Sequence, residues 1–255
     1  MTDYGLQLYS VRDVAKPDLK EALRRVAEMG YRFVEFAGFF DNPAEDVKSW
    51  LDEFGLTVSG THTGLSKLAP DQIEETIAYH KAIGCTDLIV PLAKWGTEEL
   101  MEANIKQMNE VQKRLAEEGI ALGYHNHSSE FYTTPYGKVI EDELINRTDV
   151  CLEIDTFWLF NAGIDPVAYC ERMKNRIRMI HLKDGIVPKD RVRDFATAHE
   201  DVKGVSLGLG DAPVRAVRDW AIKNQVRMIV ESEGLDPTGL EEVQRCMDYL
   251  KSLEA

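Results

Sequence analysis

Eight short runs of apolar and β-branched residues recur along this 255-residue chain, and stretches of helical periodicity separate most of them. The predicted strands are Leu6–Ser10, Phe33–Ala37, Thr57–Thr61, Asp87–Leu92, Ile120–His125, Val150–Asp155, Ile177–His181 and Val226–Glu231. They begin about 30 residues apart, the length of one strand plus one helix, until a last interval of about 50. Eight such units specify an α/β fold of one kind, a closed parallel (β/α)₈ TIM barrel, with residues 1–255 as a single domain.

The helices carry their own start and stop signals. Pro17-Asp18 opens a helix that stops at Gly30, Thr97 opens one that stops at Gly119, and Asp165-Pro166 opens another; a last helix spans Leu240–Leu253. The competing fold, a doubly wound open sheet, wants a glycine-rich phosphate turn after its first strand. Tyr9-Ser10-Val11-Arg12 is no such turn. The long last interval, from Asp184 to Gln225, contains the Gly-rich run Gly204–Asp211 and is expected to overhang the C-terminal face, where barrels bind substrates.

A formal charge of −14 repels polyanions, which argues against DNA or RNA as a partner. The N-terminal residues lack a basic stretch followed by an apolar one, and no segment has the ~20 apolar residues of a membrane span. A cytoplasmic location is therefore expected. Cys85, Cys151, Cys170 and Cys246 are widely spaced and form no C-x-x-C pair, so they read as reduced thiols rather than as a zinc or disulfide framework.

Polar residues accumulate at the ends of the fifth to eighth predicted strands: His125-Asn126-His127, Glu153-Ile154-Asp155, His181-Leu182-Lys183-Asp184 and Glu231-Ser232-Glu233. Buried charge at a strand end is costly unless paired or metal-bound. Residues two apart lie on the same side of a strand, so each cluster can aim a pair of side chains at the barrel axis. Carboxylates mixed with one or two imidazoles suit Mn²⁺, Mg²⁺, Co²⁺ or Zn²⁺. Each residue also has a plainer reading. Asp155-Thr156 can cap the following turn, Lys183 can pair with Asp184, and His62 in Ser59-Gly-Thr-His-Thr-Gly64 can be an ordinary loop histidine. Glu35, between Val34 and Phe36, either faces the barrel interior with a partner or lies at the surface.

With these residues in view, the chain resembles the sugar phosphate isomerase/epimerase family with the xylose isomerase-like barrel. The resemblance runs from Gly5-Leu-Gln-Leu-Tyr-Ser-Val-Arg12 through Tyr124-His-Asn-His127, Leu152-Glu-Ile-Asp-Thr156, His181-Leu-Lys-Asp184 and Leu207-Gly-Leu-Gly-Asp211 to Val230-Glu-Ser232. It implies one divalent metal, manganese first, held by Asp155, His181, Glu231 and a fourth ligand from the fifth strand. Many members carry Glu-Asn-His where this chain has His125-Asn126-His127, so the fourth place falls to Glu130, reaching back, or to His125. Glu130 is preferred, because the Tyr-His-Asn-His-x-x-Glu-Phe pattern resembles the branch with inosose dehydratase-like members.

The resemblance further implies a sugar or keto-sugar substrate and enediolate chemistry, with Glu231 as base, Lys183 stabilising the anion and His125 or His127 moving the second proton. Protonation of carbon gives isomerisation or epimerisation, and protonation of oxygen gives dehydration. Substrate contacts are expected from Gln7, His62, Trp158 and Glu233. Gly208-Leu-Gly210 can cradle a phosphate with Arg191 and Arg193 nearby. The aromatic residues Phe157, Trp158 and Phe160 are expected to be exposed at the pocket mouth or in a homo-oligomer contact.

Overall fold

The structure, a computed structural model, describes residues 2–188 and 193–254. Eight parallel strands close into a barrel: β1 (Gly5–Gln7), β2 (Phe33–Phe36), β3 (Thr57–His62), β4 (Asp87–Val90), β5 (Ala121–His125), β6 (Cys151–Asp155), β7 (Ile177–Leu182) and β10 (Arg227–Val230). Between the seventh and eighth staves, β8 (Asp184–Ile186) and β9 (Lys203–Val205) form a separate antiparallel ribbon. Among the described residues no helix is long and apolar enough to cross a membrane.

The predicted helix signals act as their chemistry requires. The Asp18 carboxylate accepts from Glu21 N, and Gly30 closes that helix at φ 104°. Thr97 Oγ1 accepts from Leu100 N, and the Asp165 side chain accepts from Val167 N and Ala168 N with Pro166 in the first turn. One strand differs from expectation. Leu6–Ser10 is not extended throughout, because β1 ends at Gln7 and Leu8–Val11 turns as a 3₁₀ helix. Gln7 drives the break: its side-chain oxygen accepts from Tyr9 N, a local bond that competes with the strand ladder.

Strand alternation divides the barrel interior into layers. Buried Ile89, Met179 and Ile229, with Phe33 against them, form an apolar floor. Two residues further along their strands stand Glu35, His181 and Glu231, and β6 places Glu153 and Asp155 on the same side. The register sets Gln7 beside Glu35, His125 beside Glu153, and Asp155 beside His181. Glu35 thus faces the interior and is fully buried.

Candidate active site

Two tiers of titratable side chains stand above that floor. In the inner tier, Glu153 Oε1 lies 2.8 Å from His62 Nε2, 3.0 Å from His125 Nδ1 and 3.1 Å from His181 Nε2. Glu35 Oε2 lies 2.7 Å from His181 Nε2 and accepts from Gln7 Nε2 at 2.9 Å. Burial and the Glu153 charge push Glu35 up to about 7. Burial acts on Glu153 in the same direction, but three surrounding imidazoles outweigh it and hold that carboxyl well below its ordinary range.

In the outer tier, one donor atom from each of His125, Asp155, His181 and Glu231 falls within 4.8 Å of every other. Asp155 Oδ1 caps the helix Thr156–Asn161 by accepting from Trp158 N at 2.9 Å, so capping and site placement coexist. Its Oδ2 is buried without a hydrogen-bond partner, and burial pushes the carboxyl up to about 7. Among the described residues that oxygen has only the Lys183 ammonium, 3.6 Å away, as an ion-pair partner, and a carboxylate oxygen free of hydrogen bonds inside a set of hard and borderline donors fits a divalent cation. His62, His125, Glu153 and His181 make an equally compact group, but its close contacts are carboxylate–imidazole hydrogen bonds, satisfied without an ion.

Lys183 is buried beside this set, with Nζ 3.1 Å from Glu231 Oε2, 2.8 Å from Glu233 Oε1 and 4.8 Å from the Trp158 ring centre. Burial disfavours its charge, but Glu231, Asp155 and Glu233 outweigh that and raise its pKa. Burial likewise opposes ionisation of Glu231, but Lys183 and His181 hold it well below the ordinary carboxylate range. Burial lowers His125 to about 4 and also holds His127 well below the ordinary histidine range, leaving both rings neutral near pH 7. His127 Nδ1 is buried without a partner. A cavity of about 360 Å³ opens over these groups, lined by Tyr9, His62, His125, His127, Leu92 and Glu233 among others.

Several residues predicted from the sequence stand elsewhere. Glu130 is fully buried but is not among the four converging donors. Its carboxylate accepts from Tyr124 Oη at 2.8 Å, Ser129 Oγ at 3.0 Å and His127 N at 3.1 Å, which fixes the turn after β5. Gln7 is fully buried with its amide divided between Tyr9 N and Glu35, below the cavity. Phe157 and Trp158 are buried rather than exposed, since the Thr156–Asn161 helix turns them inward.

The Gly-rich run holds an internal anion in place of a phosphate. The Asp184 carboxylate accepts from the backbone N–H groups of Gly185, Gly208, Gly210 and Ala212. Arg193 donates to the backbone carbonyls of Asn161 and Pro188, and Arg191 lies outside the described residues.

One contributor escapes the sequence reading and another is placed by it without its partners. Glu153, expected at the barrel axis with Asp155, joins three imidazoles. His199 comes from the long insertion and packs edge-on against Trp158 and His127, with ring centres 5.0 and 5.5 Å apart. A lone histidine inside an overlong βα connection is the signal that points to it.

The chain matches the xylose isomerase-like TIM barrel family over residues 23–253. It is 27% identical to an inosose dehydratase of Mesomycoplasma hyopneumoniae, an alignment covering 91% of this chain and 88% of that protein. A sugar phosphate isomerase/epimerase structure from Parabacteroides distasonis is 26% identical, covers 98% of both chains and superposes with a TM-score of 0.75. The probable 3-DHS dehydratase of petrobactin synthesis from Bacillus anthracis reaches the same TM-score at 12% identity, a likeness of fold alone.

Proposed function

The chain belongs to the xylose isomerase-like TIM barrel family, and on that premise we propose that it is a metal-dependent isomerase or epimerase that enolises a keto-sugar. The observation that carries this reading is the convergence of His125, Asp155, His181 and Glu231 on one spot beside the buried ammonium of Lys183. A divalent cation held by those four residues, Mn²⁺ first and Mg²⁺, Co²⁺ or Zn²⁺ otherwise, would supply Lewis-acid polarisation of the sugar carbonyl.

The chain's own residues account for the proton traffic. Glu231, kept ionised by Lys183 and His181, takes the proton from the C–H next to the carbonyl. The Lys183 ammonium, held by Glu233 and Glu231, faces the negative charge that builds on oxygen in the enediolate. His127, a neutral imidazole at the cavity wall, relays a proton to carbon, giving it from one ring nitrogen while the other takes one from water, so that the ring ends neutral as it began. His62 and Glu233 border the same cavity and contact the sugar hydroxyls, while Trp158 backs Lys183.

One observation favours a second reading, dehydration. The end of β5 presents imidazoles, His125 and His127, where a second carboxylate would serve two-base epimerisation. An imidazole that relays to a departing hydroxyl a proton equivalent to the one Glu231 took from carbon completes the loss of water from the same enediolate, and the relative named above is an inosose dehydratase.

The test is NMR of a keto-sugar panel in D₂O with metal-loaded protein. Deuterium at carbon with an intact skeleton supports the isomerase or epimerase, and water loss with a new double bond supports the dehydratase. Absence of both, with Mn²⁺, Mg²⁺, Co²⁺ and Zn²⁺ each supplied, overturns the assignment.

A further inference from the structure

His62 lines two cavities, the reaction cavity on one side and, on the other, a second of about 360 Å³ between the loop after β2 and the helix Ile73–Ile83. We propose that it is a subsite for a second sugar ring, so that the substrate is an unphosphorylated two-ring keto-glycoside; this rests on the keto-sugar reading of the neighbouring pocket.

The walls have the chemistry of a sugar site, apolar ring faces with a few placed polar groups. Phe39, Phe40 and Tyr79 supply the rings, and Asn42, Lys67 and Gln72 supply amides and an ammonium. The Phe39 and Tyr79 ring centres lie 4.1 Å apart. Tyr79 Oη donates to Asn42 O at 2.7 Å and Asn42 Nδ2 donates to Phe39 O at 2.7 Å, which ties the loop to the helix. Those bonds hold two successive non-glycine residues in the left-handed region, Phe40 at φ 51° and Asp41 at φ 61°. A bulky residue there is rare and persists where its surroundings over-determine it, as at ligand sites.

Two alternatives fit less well. Asp41 and Glu75 line the cavity with Lys67, so a phosphate dianion would meet two carboxylates for one ammonium. A third cavity of about 290 Å³ shares Tyr9 and Ala37 with the reaction pocket, but Leu8, Leu235 and the stems of longer side chains leave it mostly hydrocarbon.

Saturation-transfer NMR of the Mg²⁺-supplied protein tests the inference without turnover, using maltose, cellobiose and trehalose beside glucose, glucose 6-phosphate and the aryl glucoside arbutin. At least one disaccharide should bind about tenfold more tightly than glucose, with both rings saturated. Gln72→Ala, at the surface, and Tyr79→Ala should each weaken it about fivefold. Disaccharides no better than glucose, or affinities that neither variant moves, overturn the proposal, as does tighter binding of glucose 6-phosphate or arbutin. The D₂O exchange assay on single-ring keto-sugars reads the enolisation separately, so either reading can fail alone.

Discussion

His125 Nδ1 lies 3.0 Å from Glu153 Oε1, the same oxygen that stands 3.1 Å from His181 Nε2. One carboxylate therefore orients two of the four converging donors, in the manner of the carboxylate–histidine–metal pairs that fix the tautomer and aim of a ligating ring. Glu153→Gln keeps the shape but removes the charge and one acceptor. It should weaken Mn²⁺ or Zn²⁺ binding about 10- to 100-fold by titration calorimetry, with unchanged far-UV circular dichroism. An affinity equal to wild type would leave Glu153 a purely structural group.

The fourth ligand divides the chain's two fifth-strand candidates. His125 converges with Asp155, His181 and Glu231, whereas Glu130 already accepts three hydrogen bonds in the turn after β5. Elemental analysis of purified variants should find metal depleted in Asp155→Ala, His181→Ala and His125→Ala. Glu130→Gln should retain it, with a stability loss of about 1–2 kcal/mol from altered acceptors. Metal lost from Glu130→Gln and kept in His125→Ala would reverse the choice.

Asp184 and Gly210 form another such pair, since a Cβ at Gly210 would lie 2.2 Å from Asp184 Oδ1 and 2.6 Å from Gly185 N. Close approach of backbone to carboxylate demands glycine there. Gly210→Ala and Asp184→Ala should each lower the unfolding free energy read from urea denaturation by about 2–4 kcal/mol, the first by pushing the carboxylate out of its cradle and the second by removing the acceptor that four N–H groups share. Inorganic phosphate at millimolar concentration should restore neither variant; restoration would show that the loop is an anion site after all.

The barrel was legible because each strand–helix unit announces itself locally, through β-branched runs and through caps such as Asp18, Thr97 and Asp165 that perform the bonds their residue types suggest. The direction of the site was legible for the same reason, since period-two alternation alone brings His181 and Lys183, or Glu153 and Asp155, to one side. What alternation cannot convey is which atom meets which. Gln7, Glu130 and Asp184 carry the right chemistry in the right segments, yet each spends its polar atoms on nearby partners, Tyr9 and Glu35, Tyr124 and His127, and the Gly208–Ala212 amides. The Gln7–Glu35 bond depends on the pairing of two strands and the Asp184 bonds on the insertion after β7, whereas the bonds of Gln7 to Tyr9 and of Glu130 to Tyr124 and His127 are short-range turn contacts, and none of these leaves a periodic trace in the sequence.

Glu141 lies outside the site and makes the chain's stability depend on pH. It is buried at the start of the helix Ile140–Arg147, where Tyr169 Oη donates to its Oε1 and its Oε2 has no hydrogen-bond partner. Burial, only partly offset by Tyr169, pushes the carboxyl up to about 7 from an ordinary 4.5. Between those two values the folded state holds a proton that the unfolded state has released. The contribution is therefore complete below about pH 4.5 and is lost as pH rises through about 7, amounting to roughly 3 kcal/mol at most. Glu141→Gln imitates the protonated form, so it should raise the melting temperature at pH 8 by about 3–6 °C. At pH 5 it should change it little, and between the two values the slope of stability against pH should flatten. Thermal denaturation of wild type and variant at both values is the check, and an equal shift at pH 5 and pH 8 would mean that Glu141 does not titrate in this range.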